Sequence, residues 1–393
     1  MKNKELTSAQ ILLMAAAAGI SVANIYYNQP ILTNIAQSLH LNQTEAGSIA
    51  VFSQTGYGLG LFFLIPLGDK LNRKKLVLSL LSFLVIFLLF IVFSVNAWQI
   101  QLASLIVGFL SVSAQIILPM AATLNKATRG KTLGTIFSGI LIGILAARVV
   151  SGFIAHWLSW RYVYGMSACL VFIIDVLIYF FLPGVKSEFA GNYMQLMKST
   201  VQQIQRFALL RQTACIGALV FGLFCSFWTT LTFHLGGAPF YYGSDTIGLF
   251  GLVAIAGALA APLIGKMADK GNAVQALLLS MGFIIFSILL MMLFPESAPS
   301  FVVAVLLLDV GVQVVQVTNI ASIYTLDESA HSRINTVYMT SYFIGGALGT
   351  TAGLWCWQQN GWRLVTEQIL FWACIALAIV VFSRRKKPAL ATE

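Results

Sequence analysis

Charge is what this sequence has least of: only 9% of its 393 residues are Asp, Glu, Lys or Arg, where a water-soluble fold carries about a quarter. That scarcity excludes an ordinary soluble enzyme. The five cysteines, Cys169, Cys215, Cys225, Cys356 and Cys374, all lie in apolar stretches and none forms a CxxC pair. They read as small hydrophobes and imply neither a disulfide framework nor a metal site. The sequence has no metal-ligand cluster, no nucleophile beside its base and no glycine-rich phosphate loop, so ATP-driven transport and enzymatic chemistry have no support. No catalytic residue, metal or cofactor is expected.

What the chain does have is apolar length. Hydrophobic residues make up 59% of it, and the mean hydropathy is +0.87. A bilayer-crossing helix needs roughly 20 apolar residues, so the chain accommodates about a dozen spans and no soluble domain of ~100 residues beside them. Twelve candidate spans begin near residues 9, 46, 76, 99, 132, 162, 212, 246, 274, 300, 334 and 364. Span 1, Gln10 to Gln29, lacks a short apolar core with a small-residue cleavage site and is read as a retained helix.

The formal charge of +10 raises nucleic acid as a partner, so the positions of the 23 basic residues matter. Lys2, Lys4, Lys70, Arg73, Lys74, Lys75, Lys126, Arg129, Lys131, Lys186, Lys198, Arg206, Arg211, Lys266, Lys270, Arg333, Arg384, Arg385, Lys386 and Lys387 all fall on one face of a twelve-span topology. The other face keeps Arg161 and Arg363 with Glu45, Asp245, Glu296 and Glu367, and Arg148 lies inside span 5. By the positive-inside rule both termini are cytoplasmic, in a multi-pass protein of the inner (cytoplasmic) membrane. The basic charge encodes topology, and no basic patch or recognition motif supports a nucleic-acid partner.

An internal repeat divides the chain. Trp160-Arg161 precedes span 6 and Trp362-Arg363 precedes span 12, a step of 202; Lys131 and Arg333, and Gly143 and Gly345, keep that step. Gly68-Asp69-Lys70-Leu71-Asn72-Arg73-Lys74-Lys75 joins spans 2 and 3, and Gly265-Lys266-Met267-Ala268-Asp269-Lys270-Gly271-Asn272 joins spans 8 and 9, with the aspartates 200 apart. The expected organisation is an all-α membrane protein of two pseudo-symmetric six-helix bundles, 1–183 and 211–393 with a short basic tail. A polar cytoplasmic linker, 184–210, joins them.

On these residues the sequence resembles the major facilitator superfamily, whose loop between spans 2 and 3 carries G-x-x-x-D-[RK]-x-G-[RK]-[RK]. Asp69, Lys70, Arg73 and Lys74 match; Ile65 and Asn72 stand in the two glycine positions, and Asn tolerates the left-handed conformation a tight turn demands. The second copy restores Gly265 and Gly271 around Asp269 and Lys270 but lacks the basic pair. The resemblance implies a cytoplasmic gate at Asp69, Lys70, Arg73, Lys74, Asp269 and Lys270; for Lys74 and Lys75 a plain solvated charge serves equally well.

Asn24-Ile25-Tyr26-Tyr27-Asn28-Gln29-Pro30, Gly143 to Gly152 and Arg333-Ile334-Asn335-Thr336-Val337-Tyr338-Met339 narrow the likeness to twelve-helix drug:proton antiporters and bacterial sugar efflux permeases. Span 5 keeps small residues at the packing positions of the motif G-x-x-x-G-P-x-x-G-G, but Arg148 replaces its proline. Many relatives in that branch carry a coupling acid in span 1, where this chain has Asn24 and Asn28.

An ionised side chain at bilayer depth costs at least ~2.5 kcal/mol on insertion scales, so each needs a partner, a wet cavity or a function. Arg148, Asp175 and Asp309 are such residues. Counted along their helices, Arg148 lies roughly 24 Å from Thr132 and Asp309 roughly 14 Å from Ser300, overlapping depths. Asp309, Gln313 and Gln316 recur on one face of span 10. The resemblance places spans 1, 4, 7 and 10 around a central cavity, to which Asn24, Tyr27, Asn28, Gln115, Trp228, Gln313, Gln316, Tyr338 and Tyr342 are assigned; interhelical hydrogen bonding is the competing explanation of the polar members. Asp175, on peripheral span 6, reads as a structural hydrogen bond, and His156 and His234 as satisfied near the interface.

The leading expectation is a monomeric secondary transporter that exports small organic molecules such as drugs or sugars in exchange for protons. It would work by alternating access around a midplane site, with Asp309 as proton carrier and Arg148 tuning it or contacting substrate. Uptake by proton symport or facilitated diffusion, and a non-transporting receptor or scaffold, are the alternatives. The partners expected are a small-molecule substrate and the lipid bilayer, with protons as coupling ion.

Overall fold

Inside a bilayer each backbone N–H and C=O must be satisfied within its own segment, and a helix does this. The computed structural model describes residues 6–125, 128–184, 192–254, 273–327 and 330–385, apart from the side chains at 69, 384 and 385. Its regular elements are helices: α1 Ser8–Ala23, α2 Leu32–Leu39, α3 Gln43–Lys70, α4 Arg73–Val92, α5 Ala97–Leu110, α6 Ser113–Leu124, α7 Arg129–Trp157, α8 Trp160–Phe181, α9 Tyr193–Arg206, α10 Ala208–Gly236, α11 Ser244–Ala254, α12 Ala273–Leu293, α13 Ala298–Ile323 and α14 His331–Arg385. A single-turn 3-10 helix, Gln29–Ile31, precedes α2. Among the described residues nine helices are long and apolar enough to cross a membrane, and α1 and α11 are shorter apolar ones. The ninth, α14, is two spans in sequence, broken by non-helical backbone at Asn360 and at Gly361, whose φ of 59° suits a residue without Cβ. These helices begin within a few residues of the twelve positions that hydropathy marks.

Helix starts follow from local chemistry. Thr7 with Gln10, and Asn42 with Glu45, form reciprocal capping boxes. Asn72 corrects a sequence expectation. It is not a left-handed turn residue but the extended N-cap of α4, with φ −63° and ψ 112°, and its side chain accepts from the Lys75 amide. The polar stretch expected as linker also forms a helix, α9, with Leu196 and Met197 buried.

The chain separates into two compact units, 1–199 with 235–251, and 200–234 with 252–393. In the first, α1 lies so close to α7 that a Cβ on Gly143 would overlap the Gly19 backbone, and one on Gly19 the Gly139 carbonyl. Segment 235–251 belongs here through α11: Ser244 Oγ donates to the Gly152 carbonyl of α7 at 3.0 Å, and Gly248 abuts the Arg148 carbonyl. In the second unit, Gly345 of α14 meets Ala218 of α10 as Gly143 meets Gly19. The repeat therefore extends to the backbone contacts.

Basic side chains finish several helices of the first unit. Arg73 donates to the carbonyls of Gly68 (3.1 Å) and Pro119 (3.1 Å) and to Thr123 Oγ1, and Lys74 donates to those of Tyr179 (2.8 Å) and Leu182 (2.7 Å). Arg161 donates to the carbonyls of Val92 and Ser94. Most of these carbonyls lie in the last turn of a helix or just past it, where helical partners run out; that of Pro119 also accepts from Thr123 Oγ1 of its own helix.

Candidate functional site

The first unit centres on a break in span 1. The sequence reads as one helix to Gln29, but α1 stops at Ala23. Residues 24–28 continue as turns, with Ile25 N–H donating to Val22 and Gln29 N–H to Tyr26, before the 3-10 turn at Gln29–Ile31. Two causes are local. Pro30 has no N–H to extend the ladder, and the Asn24 side chain donates to the Ile20 and Ser21 carbonyls at 2.9 and 3.3 Å, competing for backbone acceptors.

The polar side chains at this break reach four neighbouring helices. Ser113 of α6 donates to Ser21 Oγ, and Ser167 of α8 donates to Asn24 Oδ1, each at 2.7 Å. The Tyr27 hydroxyl bonds the same Ser167. Asn28 Nδ2 donates to Ser53 Oγ of α3 at 3.1 Å, and Arg148 Nε of α7 donates to Gln29 Oε1 at 2.8 Å. Arg148 is only 2% exposed, and its guanidinium lies 5.4 Å from the Tyr26 ring centroid. A charge-assisted hydrogen bond and a cation–π contact thus offset part of its desolvation. A Cβ on Gly251 of α11 would lie 3.0 Å from Arg148 Cβ. Span 4 breaks as well, at Ser111 and Val112 between α5 and α6; beyond it Gln115, half-buried, bonds Tyr57.

The second unit presents a different surface. Helix α10 runs unbroken for 29 residues. Phe221 stacks on Tyr342 of α14 at 4.0 Å, Phe224 continues the stack, and Trp228 packs edge-on against Phe224 and Phe227. Asn319 Nδ2 of α13 donates to the Thr213 carbonyl and the Tyr338 hydroxyl. On α13, Asp309 is 3% exposed, with Gln313 and Gln316 half-buried on the same face. Among the described Asp, Glu, Lys and Arg residues, the two buried ones are Arg148 in the first unit and Asp309 in the second.

Of the residues assigned to the gate, Lys70 is exposed at the end of α3, and Arg73 and Lys74 bind helix carbonyls as above. The Asp69 side chain, Asp269 and Lys270 lie outside the described residues. Asn24, Tyr27 and Asn28 are buried in the hydrogen bonds of the break. His156 Nδ1 lies 3.3 Å from Asp245 Oδ1, and His234 Nε2 lies 2.8 Å from the Pro295 carbonyl with its ring stacked on Trp362. Sequence reasoning missed Gln29 and Ser167 as partners. Gln29 stood in the quoted N-I-Y-Y-N-Q-P stretch, but its partner is 119 residues away.

A family model of the Major Facilitator Superfamily matches residues 13–350. The chain is 39% identical over 361 residues to the uncharacterized transporter YgaY of Escherichia coli, covering 92% of each chain. It is 20% identical over 362 residues to a protein of Haemophilus influenzae named as a probable sugar efflux transporter, covering 90% of this chain and 87% of that one. Among solved structures, the nucleoside transporter NupG superposes with a TM-score of 0.75 at 12% identity, over 96% of this chain and all of that one. That last likeness is one of fold.

Proposed function

We propose, for a chain that belongs to the Major Facilitator Superfamily and is a multi-pass membrane transporter of small molecules, proton-coupled efflux of uncharged or amphipathic organic substrates by alternating access. Asp309 carries the reading. A carboxyl 3% exposed within a bilayer span is costly when ionised, and one whose surroundings change between access states would load a proton in one and unload it in the other. Gln313 and Gln316 beside it and the Phe221–Tyr342 stack suit substrate contacts through amides and ring faces. Arg148 holds the break in span 1 through Gln29. The distribution of basic residues supports an inner-membrane protein with both termini in the cytoplasm, and the named sugar efflux relative supports export.

The test is transport in proteoliposomes under an imposed pH gradient. Asp309→Asn should reduce gradient-driven flux at least about a hundredfold while leaving equilibrium exchange of substrate measurable. Intact gradient-driven flux removes the assignment. Substrate-induced proton movement in inside-out vesicles then separates export from uptake by its sign.

A further inference from the structure

The seam between α4 and α8 holds a polar pair that transport by the buried face does not use. Ser82 Oγ of α4 donates to Asp175 Oδ2 of α8 at 2.7 Å, while Asp175 Oδ1, turned into the seam and buried, has no hydrogen-bond partner. Both residues lie well inside membrane spans, Asp175 six residues, about 9 Å, from the end of α8. Ser82 is exposed, and so are its neighbour Phe83 and, three before and four after Asp175 on its own face, Phe172 (58%) and Tyr179 (62%). Ser82 therefore faces outward, toward hydrocarbon, with the half-buried Asp175 carboxyl behind it.

The fold itself does not require it. At the repeat step set by Trp160 and Trp362, Asp175 corresponds to Leu377; at the step between the starts of α4 and α12, Ser82 corresponds to Gly282. The second unit brings α12 and α14 together without an acid or a hydroxyl at those positions. A carboxyl facing lipid is expensive unless it is neutral or holds a cation. The exposed Phe172 ring beside it stabilises an ammonium by cation–π attraction and does nothing comparable for a neutral acid, whereas the Tyr179 ring already has Lys74 Nζ 5.9 Å from its centroid.

We propose that Asp175 and Ser82 form a lateral site, open to the bilayer between α4 and α8, that binds the alkylammonium head of a membrane amphiphile. The ammonium donates to Asp175 Oδ2 beside the Ser82 hydroxyl, and a rotation of the carboxylate about χ2, a soft torsion, brings Oδ1 to it as well. Phe172 flanks the head group, and the alkyl chain lies along the exposed faces of α4 and α8. The site is independent of the direction and coupling ion proposed above.

The full-length protein in phosphatidylcholine vesicles, probed by electron paramagnetic resonance with dodecylamine labelled at its chain end with a nitroxide, tests this. A saturable immobilised component is expected for the amine and not for the matching alcohol. Asp175→Asn keeps the shape and an acceptor for Ser82, and should weaken amine binding about tenfold, as loss of one charge-assisted bond implies. Ser82→Ala should weaken it less. Competition by phosphatidylethanolamine would identify an aminophospholipid as the occupant, and its failure to compete a lipophilic amine. Equal immobilisation of the alcohol, or full amine binding by Asp175→Asn with an unchanged melting temperature, overturns the site.

Discussion

Spans 1 and 7 occupy the same place in the two halves of the repeat, yet they are built in opposite ways. Span 1 breaks after Ala23 and binds α3, α6, α7 and α8 through Ser53, Ser113, Arg148 and Ser167. Span 7, α10, is continuous and meets α14 through stacked rings. One polar link is shared: Tyr27 bonds Ser167, and Ser226 donates to Gln368, at nearly the repeat step. Close backbone packing is thus what the repeat holds in common, while the choice between hydrogen bonds and aromatic stacking is free to differ. Where lipid removes the hydrophobic drive between helices, either is enough to fix a neighbour.

The packing shared by both halves gives the largest expected effect. Gly143→Val and Gly345→Val each place branched carbons inside a facing backbone, at a cost of about 3 kcal/mol or more. Both should abolish monodisperse protein in size-exclusion chromatography. If one variant is well tolerated, the two contacts are not equivalent, and the comparison fails at its base. Next comes the polar half. Arg148→Ala removes the donor to Gln29 and the ring contact to Tyr26, and should lower stability by about 2–4 kcal/mol. Arg148→Met refills the volume and removes the desolvation cost of the charge, so it should recover much of that loss in thermal melts. Equal melting temperatures for the two variants would show that the hydrogen bond and the ring contact, and not packing of the stem, hold span 1. The smallest effect belongs to the aromatic half: Phe221→Leu keeps apolar volume but loses the stack on Tyr342, worth about 1 kcal/mol. A drop as large as that of Arg148→Ala would make the stack the stronger clamp.

Much of this architecture is legible in the sequence because hydropathy is read one residue after another, and apolar length has few solutions in a bilayer. The Gly143 and Gly345 step foretold a packing repeat, and the i, i+4, i+7 spacing of Asp309, Gln313 and Gln316 foretold a shared face. The break in span 1 was hidden for a different reason. Asn24 and Pro30 are tolerated in helices that bury their neighbours well, and what stabilises the break comes from serines 25 to 143 residues away. Asp175 stood out in the sequence as an acid inside a span, but its partner Ser82, 93 residues distant, carries no signal of its own.

Arg73 and Lys74 are therefore read twice in the life of the chain. Basic residues in a loop bias which side of a membrane it takes during insertion, and in the folded chain these two donate to carbonyls at the ends of α3 and α8 and near that of α6. A substitution chosen to reorient the protein will also fray the ends of three helices, so topology and stability cannot be edited separately at this loop.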